Sequence, residues 1–515
     1  MKAALVWLSL LLLFPSYAAG QNLQAVTGPD LSVRIGEVVH FDASRSTSRA
    51  GLPIIAWRWD FDSMDKVETD REGRQADHYF NYVGAYHVTL TVQDKSGQTS
   101  KVWQRVEVLS PPDWGPTLVD RFEGGRSGVI GKGEADFTIH NQWGLQWYFR
   151  LDNIANIPVS LKIYGYCPSR KVPIHVTPYD DDQSFDENFL PYVNYDFANP
   201  KWERLENAQL SYDAASSSLT IRHAFPRSPV YLAWSPPYLP ADLERFLSTL
   251  GNNRFCRIQS IGKSVEGREL KLITLTDPAV PDQGKIAIWM VGQQHGYEMT
   301  GGPICEGIIG TLLKNPARQD LLKKFVYKLV PIANPDAMAH GGFRYNLHDV
   351  DLNRNWDAQV KGYADRVSPE PEVRAIQRAL SQWVEKGNRF DLFIDHHCHT
   401  PLSHGLWLYP ADESLVGSRV YRQELELANQ FMNRKHKYSV QPVPTPGSSP
   451  WYAATKYSRR TGVLAFTCEN PLLSIETAMG EKQLTTPDLY RVIGKEWVEA
   501  ISDYYSGKVV PLLKD

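Results

Sequence analysis

The spacing of apolar residues changes twice along this chain. From 23 to 109 short alternating runs are separated by turn residues: EVVHFDAS (37–44), IIAWRWDFD (54–62), AYHVTLTVQDKSG (85–97) and KVWQRVEVL (101–109). His87 to Val92 alternate as a half-buried strand does, and Lys95-Ser96-Gly97 supplies a turn. Several short strands at this spacing predict a small β-sandwich. Pro111-Pro112-Asp113-Trp114-Gly115-Pro116 interrupts the pattern and reads as a linker. A second strand-rich stretch covers 118–240, with LQWYFRLDN (145–153) and VSLKIYGY (159–166) its clearest strands. It ends at YLAWSPPYLPADL, where Asp242 is placed to cap a helix.

Over 245–506 the texture becomes strands alternating with helices. KIAIWMVG (285–292) and KFVYKLVPIANP (324–335) are continuous apolar runs of the kind found in strands covered on both faces. In PEVRAIQRALSQWVEK (371–386), Val373, Ile376, Leu380 and Val384 recur at helical spacing, and RVIGKEWVEAISDYY predicts a closing helix. This alternation predicts an α/β domain on a mostly parallel mixed sheet, preceded by the two β-sandwich domains. Ligands bind such sheets at the carboxyl ends of the strands.

Composition adds limits. A length of 515 residues allows about three domains. A formal net charge of −3 gives no electrostatic case for a nucleic-acid partner. The start, MKAALVWLSLLLLFPSYAAGQ, carries one lysine, an apolar core from Ala3 to Phe14 and then small residues. Residues 1–20 therefore read as a signal peptide, cut after Ala18 or Gly20, and the mature protein is expected to be secreted or periplasmic with no membrane span. Five cysteines, Cys167, Cys256, Cys305, Cys398 and Cys468, are too few and too scattered for a disulfide framework. One bridge is compatible with them, and no spacing identifies it.

The candidate chemistry sits at strand ends. VGQQHGYEMTGG (291–302) places His295 and Glu298 three apart after an apolar run. Alone, such a pair arises often by chance. DLFIDHHCHTPLSHG is a second strand ending in histidines, whose alternation puts Asp395, His397 and His399 on one face and His396 and Cys398 on the other. A His/Glu pair with one distant histidine is the pattern of a catalytic zinc site, with an open position for water. GVLAFTCENP is a third strand, ending in Glu469, a carboxylate placed to act as a base. In between, NPDAMAHGGFRYNLHDVDLNRNW (334–356) offers Arg344, Asn353 and Arg354 as donors for anions and a polarised carbonyl. Taken alone, a polar loop of this kind simply caps its neighbours.

Two resemblances follow from these residues. Trp59-Asp60-Phe61-Asp62 with Gly84-x-Tyr86-x-Val88-Thr89-Leu90-Thr91-Val92-x-Asp94 resembles a PKD domain, an immunoglobulin-like module, over 23–109. His295-Gly-Tyr-Glu298, Asn334-Pro335-Asp336, Arg344, Asp351-Leu352-Asn353-Arg354-Asn355-Trp356, Asp395-x-His397-x-His399 and Glu469 resemble the M14 zinc carboxypeptidases, most closely their cytosolic carboxypeptidase-like branch. That branch carries a β-sandwich ahead of the enzyme domain, a place that 118–240 fills. The resemblance implies one Zn2+ per chain on His295, Glu298 and His397, with Glu469 as general base and Arg344 steadying the oxyanion. It also implies that Asn353 and Arg354 grip the free C-terminal carboxylate of a peptide substrate. The PKD-like domain is a candidate binder of a surface or polymer. This sequence has Gly-Tyr between the first two ligands where the branch has Pro-Gly, and Ala337 where a glycine is common. Two other readings stand beside the exported carboxypeptidase: an N-acyl amino acid deacylase on the same fold, and a non-catalytic surface-binding protein.

Overall fold

The structure is a computed structural model. It describes residues 23–508 apart from 49–51, 63–66, 126, 128, 133–134, 141–146, 165–189, 197–199, 214–215, 217, 343, 357–368, 399–405, 433–439, 443–452, 473 and 477–481. The expected signal segment, Cys167 and His399 lie outside the described residues. The other four cysteines are free thiols, and Cys305, Cys398 and Cys468 are buried.

The first domain is the expected small β-sandwich. A five-stranded sheet runs in the order Leu31–Arg34, Thr99–Leu109, Gly84–Asp94, Ile54–Asp60, Arg71–Glu72, and the pair Val38–Asp42 and Gln75–Tyr79 covers it. Along Gly84–Asp94 the inward residues Val88, Leu90 and Val92 are fully buried, as the alternation requires, and they pack with Trp59, Phe41 and Val106.

The second domain also pairs two sheets, each of five strands. Tyr148–Asp152 and Val230–Ala233 lie in one, Pro158–Tyr164 and Ser218–Ala224 in the other. Phe149, Leu151, Leu161, Ile163 and Ile221 meet between them. The linker is pinned to this domain: Ser110 donates from N and Oγ to Asp152 Oδ2, and Asn153 Nδ2 donates to the carbonyls of Pro111 and Gly115. Arg150, fully buried, reaches across to the first domain and donates to the carbonyls of Gly84 (3.0 Å) and Val108 (2.8 Å) while paired with Asp152.

The third domain is built on an eight-stranded sheet in the order Cys256–Lys263, Glu269–Leu275, Phe325–Val330, Ile286–Gly292, Leu392–Cys398, Leu464–Asn470, Leu406–Pro410, Val440–Pro442. The central four strands are parallel and the rest of the sheet is mixed. Helices Gly301–Lys314 and Pro487–Tyr505 cover one face, and Pro371–Glu385 packs on the other. The stripe of Pro371–Glu385 differs from expectation at its end. Trp383 is buried and Val384 is 43% exposed, because the 3.6-residue period carries the stripe from Val373, Ile376 and Leu380 onto 383. Asp242 caps as expected, accepting from the Leu239 N–H at the start of Pro240–Ser248. Among the described residues, no helix is long and apolar enough to cross a membrane.

Candidate active site

Three neighbouring parallel strands deliver the expected residues to one end of the sheet. His295 and Glu298 occupy the loop after Ile286–Gly292, His397 lies near the carboxyl end of Leu392–Cys398, and Glu469 near that of Leu464–Asn470, in register with His397. The loop is closed by two glycines in backbone contact: a Cβ on Gly292 would lie 2.9 Å from Gly301 Cα, and one on Gly301 would lie 2.7 Å from Gly292 Cα. Nothing larger fits there. Gln293 takes a left-handed conformation (φ 54°) inside this turn, a sparsely populated backbone state for a side chain and one held here by burial.

The two histidines present Nδ1 to opposite oxygens of Glu298, His295 at 2.6 Å and His397 at 2.8 Å. Their other nitrogens meet carboxylates, His295 Nε2 at Asp351 Oδ1 (3.0 Å) and His397 Nε2 at Asp395 Oδ2 (2.9 Å). Such outer carboxylates fix ring orientation and raise ligand basicity in metal sites. Gln294 braces Asp395 with bonds of 2.7 and 2.8 Å, and Trp356 Nε1 in turn donates to Gln294 Oε1. Arg344 is joined to Asp351 through Nε (3.0 Å) and Nη2 (2.9 Å) and donates from Nη1 to the Tyr297 hydroxyl at 2.7 Å.

Charge is concentrated here. Burial works to raise Glu298, but His295 and His397 hold it well below the usual carboxylate range. Burial likewise opposes ionisation of Asp351, and Arg344 and His295 overcome it. His397 is depressed by burial and held above its ordinary value by Asp395 and Glu298. Glu469 is the exception. Burial pushes its carboxyl up to about 7, although His397 counteracts this, and its Oε2 is shut off from solvent with no hydrogen-bond partner.

The donor set fits zinc. Among the described residues, the ligand atoms of His295, Glu298 and His397 lie within 4.8 Å of one another, all three residues are buried, and two imidazoles with one carboxylate match the metal's preference. Asn353 has structural partners: Nδ2 lies 3.0 Å from His397 Nε2 and Oδ1 accepts from Ala453 N. Arg354 is partly buried on the short 3-10 turn Leu352–Arg354, close enough for its charge to help lower Asp351. His396 points away as the alternation requires, packing its ring against Trp497. The sequence reading did not single out Gln294 or Tyr297 as parts of the site. For Asp351 and Asp395 a signal existed, since each stands two residues before a named site residue on the same motif.

Residues 243–498 match the zinc carboxypeptidase family, Peptidase M14, and residues 24–108 match the PKD domain. Cytosolic carboxypeptidase 6 of Homo sapiens is 24% identical over 254 residues, 46% of this chain and 48% of that protein. Human cytosolic carboxypeptidase 2 is 30% identical over 150 residues, 28% of this chain and 17% of that protein. The chain thus aligns with less than half the length of each of these relatives. Among solved structures, a metallo-carboxypeptidase from Burkholderia cenocepacia has a TM-score of 0.63 at 19% identity, covering 76% of this chain and 100% of its own. One from Pseudomonas aeruginosa, in complex with (2-guanidinoethylmercapto)succinic acid, has a TM-score of 0.62 at 21% identity, covering 76% and 99%. Those likenesses cover about three quarters of this chain and show the shared fold. Through residues 243–498 the chain belongs to the M14 zinc carboxypeptidase family, and ahead of them it carries a PKD domain over residues 24–108.

Proposed function

We propose that this protein is an exported zinc carboxypeptidase that hydrolyses the last peptide bond of peptides with a free C-terminus. The observation that carries the reading is the buried His295, Glu298, His397 cluster with the buried Glu469 Oε2, which has no hydrogen-bond partner, on the neighbouring strand. His295, Glu298 and His397 would hold the zinc, which when bound would supply Lewis acidity for the carbonyl and bring the pKa of a water to about 7. Glu469, raised toward neutrality by burial, takes the proton of the attacking water at its carboxylate and returns it to the leaving amine. Arg344, held by Asp351, donates to the oxygen on which charge develops. Asn353 and Arg354 receive the substrate's terminal carboxylate, Asn353 through the Nδ2 amide that also lies 3.0 Å from His397 Nε2. Export rests on the apolar stretch Ala3 to Phe14; "cytosolic" describes the relatives.

The test is mass spectrometry of peptides incubated with the zinc-loaded chain and with its Glu469→Gln variant. The wild type releases single C-terminal residues in a chelator-sensitive way. The variant, with equal zinc content, is slower by about 10²–10⁴-fold, the usual contribution of a positioned base. A variant within tenfold of wild type, or wild-type activity indifferent to chelation, overturns the reading.

A further inference from the structure

Between the metal ligands His295 and Glu298, both buried, stands Tyr297, which is partly exposed. Its ring lies nearly parallel to that of His295, 9° between planes and 6.1 Å between centroids. Its hydroxyl oxygen accepts a hydrogen bond from Arg344 Nη1 at 2.7 Å. Arg344 is anchored in turn, through Nε and Nη2, on the same Asp351 that holds His295 Nε2. The phenol oxygen is therefore positioned from two sides, by the ring's stacking and by a guanidinium tied to the metal-ligand scaffold.

We propose that Tyr297 is a catalytic hydrogen-bond donor, its hydroxyl joining Arg344 in stabilising the oxygen that becomes negative as the scissile carbonyl is attacked. This rests on the carboxypeptidase reading. The bond from Arg344 engages a lone pair of the phenol oxygen, which still carries its own O–H. Accepting from a cation polarises the O–H and strengthens the bond it donates onward. Preorganised donors of this kind act most strongly in a buried site, where nothing has to reorient as charge develops. No bond to Tyr297 is made or broken and its proton stays on the phenol. The residue works by hydrogen bonding alone, so removal of one oxygen atom removes its contribution.

The experiment compares zinc-loaded wild type with Tyr297→Phe, which keeps the ring and its stacking. Zinc content, kcat and KM are measured, together with the affinities of a phosphonate peptide analogue (tetrahedral and anionic) and of the product amino acid. The expected result is unchanged zinc content, KM within about twofold, and kcat lower by roughly 10²-fold, the scale of one lost oxyanion donor. The phosphonate should weaken by a similar factor and the product should not. Unchanged kcat and phosphonate affinity overturn the proposal. So does an equal loss for phosphonate and product, which would make Tyr297 a wall of the pocket. In an Arg344→Lys background, a Tyr297→Phe change with no further effect would also overturn it, because the tyrosine would then act only by holding the arginine. A wild-type chain that binds zinc but trims no peptide defeats the carboxypeptidase reading instead; phosphonate affinity still reports on Tyr297 in that case.

Discussion

In the strand Leu392–Cys398 successive residues do opposite things. Asp395 and His397 face the metal cluster, whereas His396 between them is turned into the core, where burial lowers its pKa to about 3 and neither ring nitrogen has a hydrogen-bond partner. A neutral imidazole there is core filling. Asp351 links two parts of the site, since it holds His295 with one oxygen and Arg344 with the other. Asp351→Asn keeps the shape and removes the charge that fixes His295. Zinc affinity, measured by competition with a chelator, should weaken by about 10–100-fold, as for other outer-sphere partners; an unchanged affinity would mean that His295 is held by packing alone. That His295, Glu298 and His397 come together as a candidate metal group was legible because strand alternation and short spacing are local properties. Gln294 bracing Asp395 from 101 positions away was not, because nothing in either residue's neighbourhood signals a contact made by the fold.

Helices Gly301–Lys314 and Pro487–Tyr505 were each partly legible as apolar or amphipathic stretches, but their crossing was not. They approach until backbones touch: a Cβ on Gly307 would lie 2.0 Å from the Arg491 carbonyl oxygen, and one on Gly494 would lie 2.1 Å from that of Ile304. The first of these helices follows the metal loop directly, so its seating on the second fixes the direction in which Glu298 leaves the sheet. Gly307→Ala inserts one carbon where there is only backbone to yield. Overpacking of this sort costs about 1–3 kcal/mol, so thermal denaturation of the variant should show a lowered midpoint. A midpoint equal to wild type would show that the helices separate freely. The period-2 strands of the first two domains were plain from sequence for the opposite reason, since each strand's own alternation records which face is buried.

Over the whole molecule, the two β domains were legible separately and their joint was not. The proline-rich stretch reads as a break, yet Ser110 and Asn153 tie it down and Arg150 bridges the first two domains from a fully buried position. Arg105 of the first domain pairs with Asp242 of the third at 2.8 Å, and the Gly124 N–H donates to the Ala339 carbonyl just behind the site. A sequence shows no such pairing because a buried arginine and a surface arginine are written alike. The proposed exopeptidase activity is decided by one comparison. Two peptides identical except for a free carboxylate or an amide at the C-terminus are incubated with the zinc-loaded full chain and followed by mass spectrometry. An exopeptidase of the proposed kind removes single residues stepwise from the free acid and leaves the amide intact, because in that proposal the terminal carboxylate is what Asn353 and Arg354 would receive. Equal trimming of both peptides, cleavage at internal bonds, or release confined to small N-acyl amino acids would contradict it.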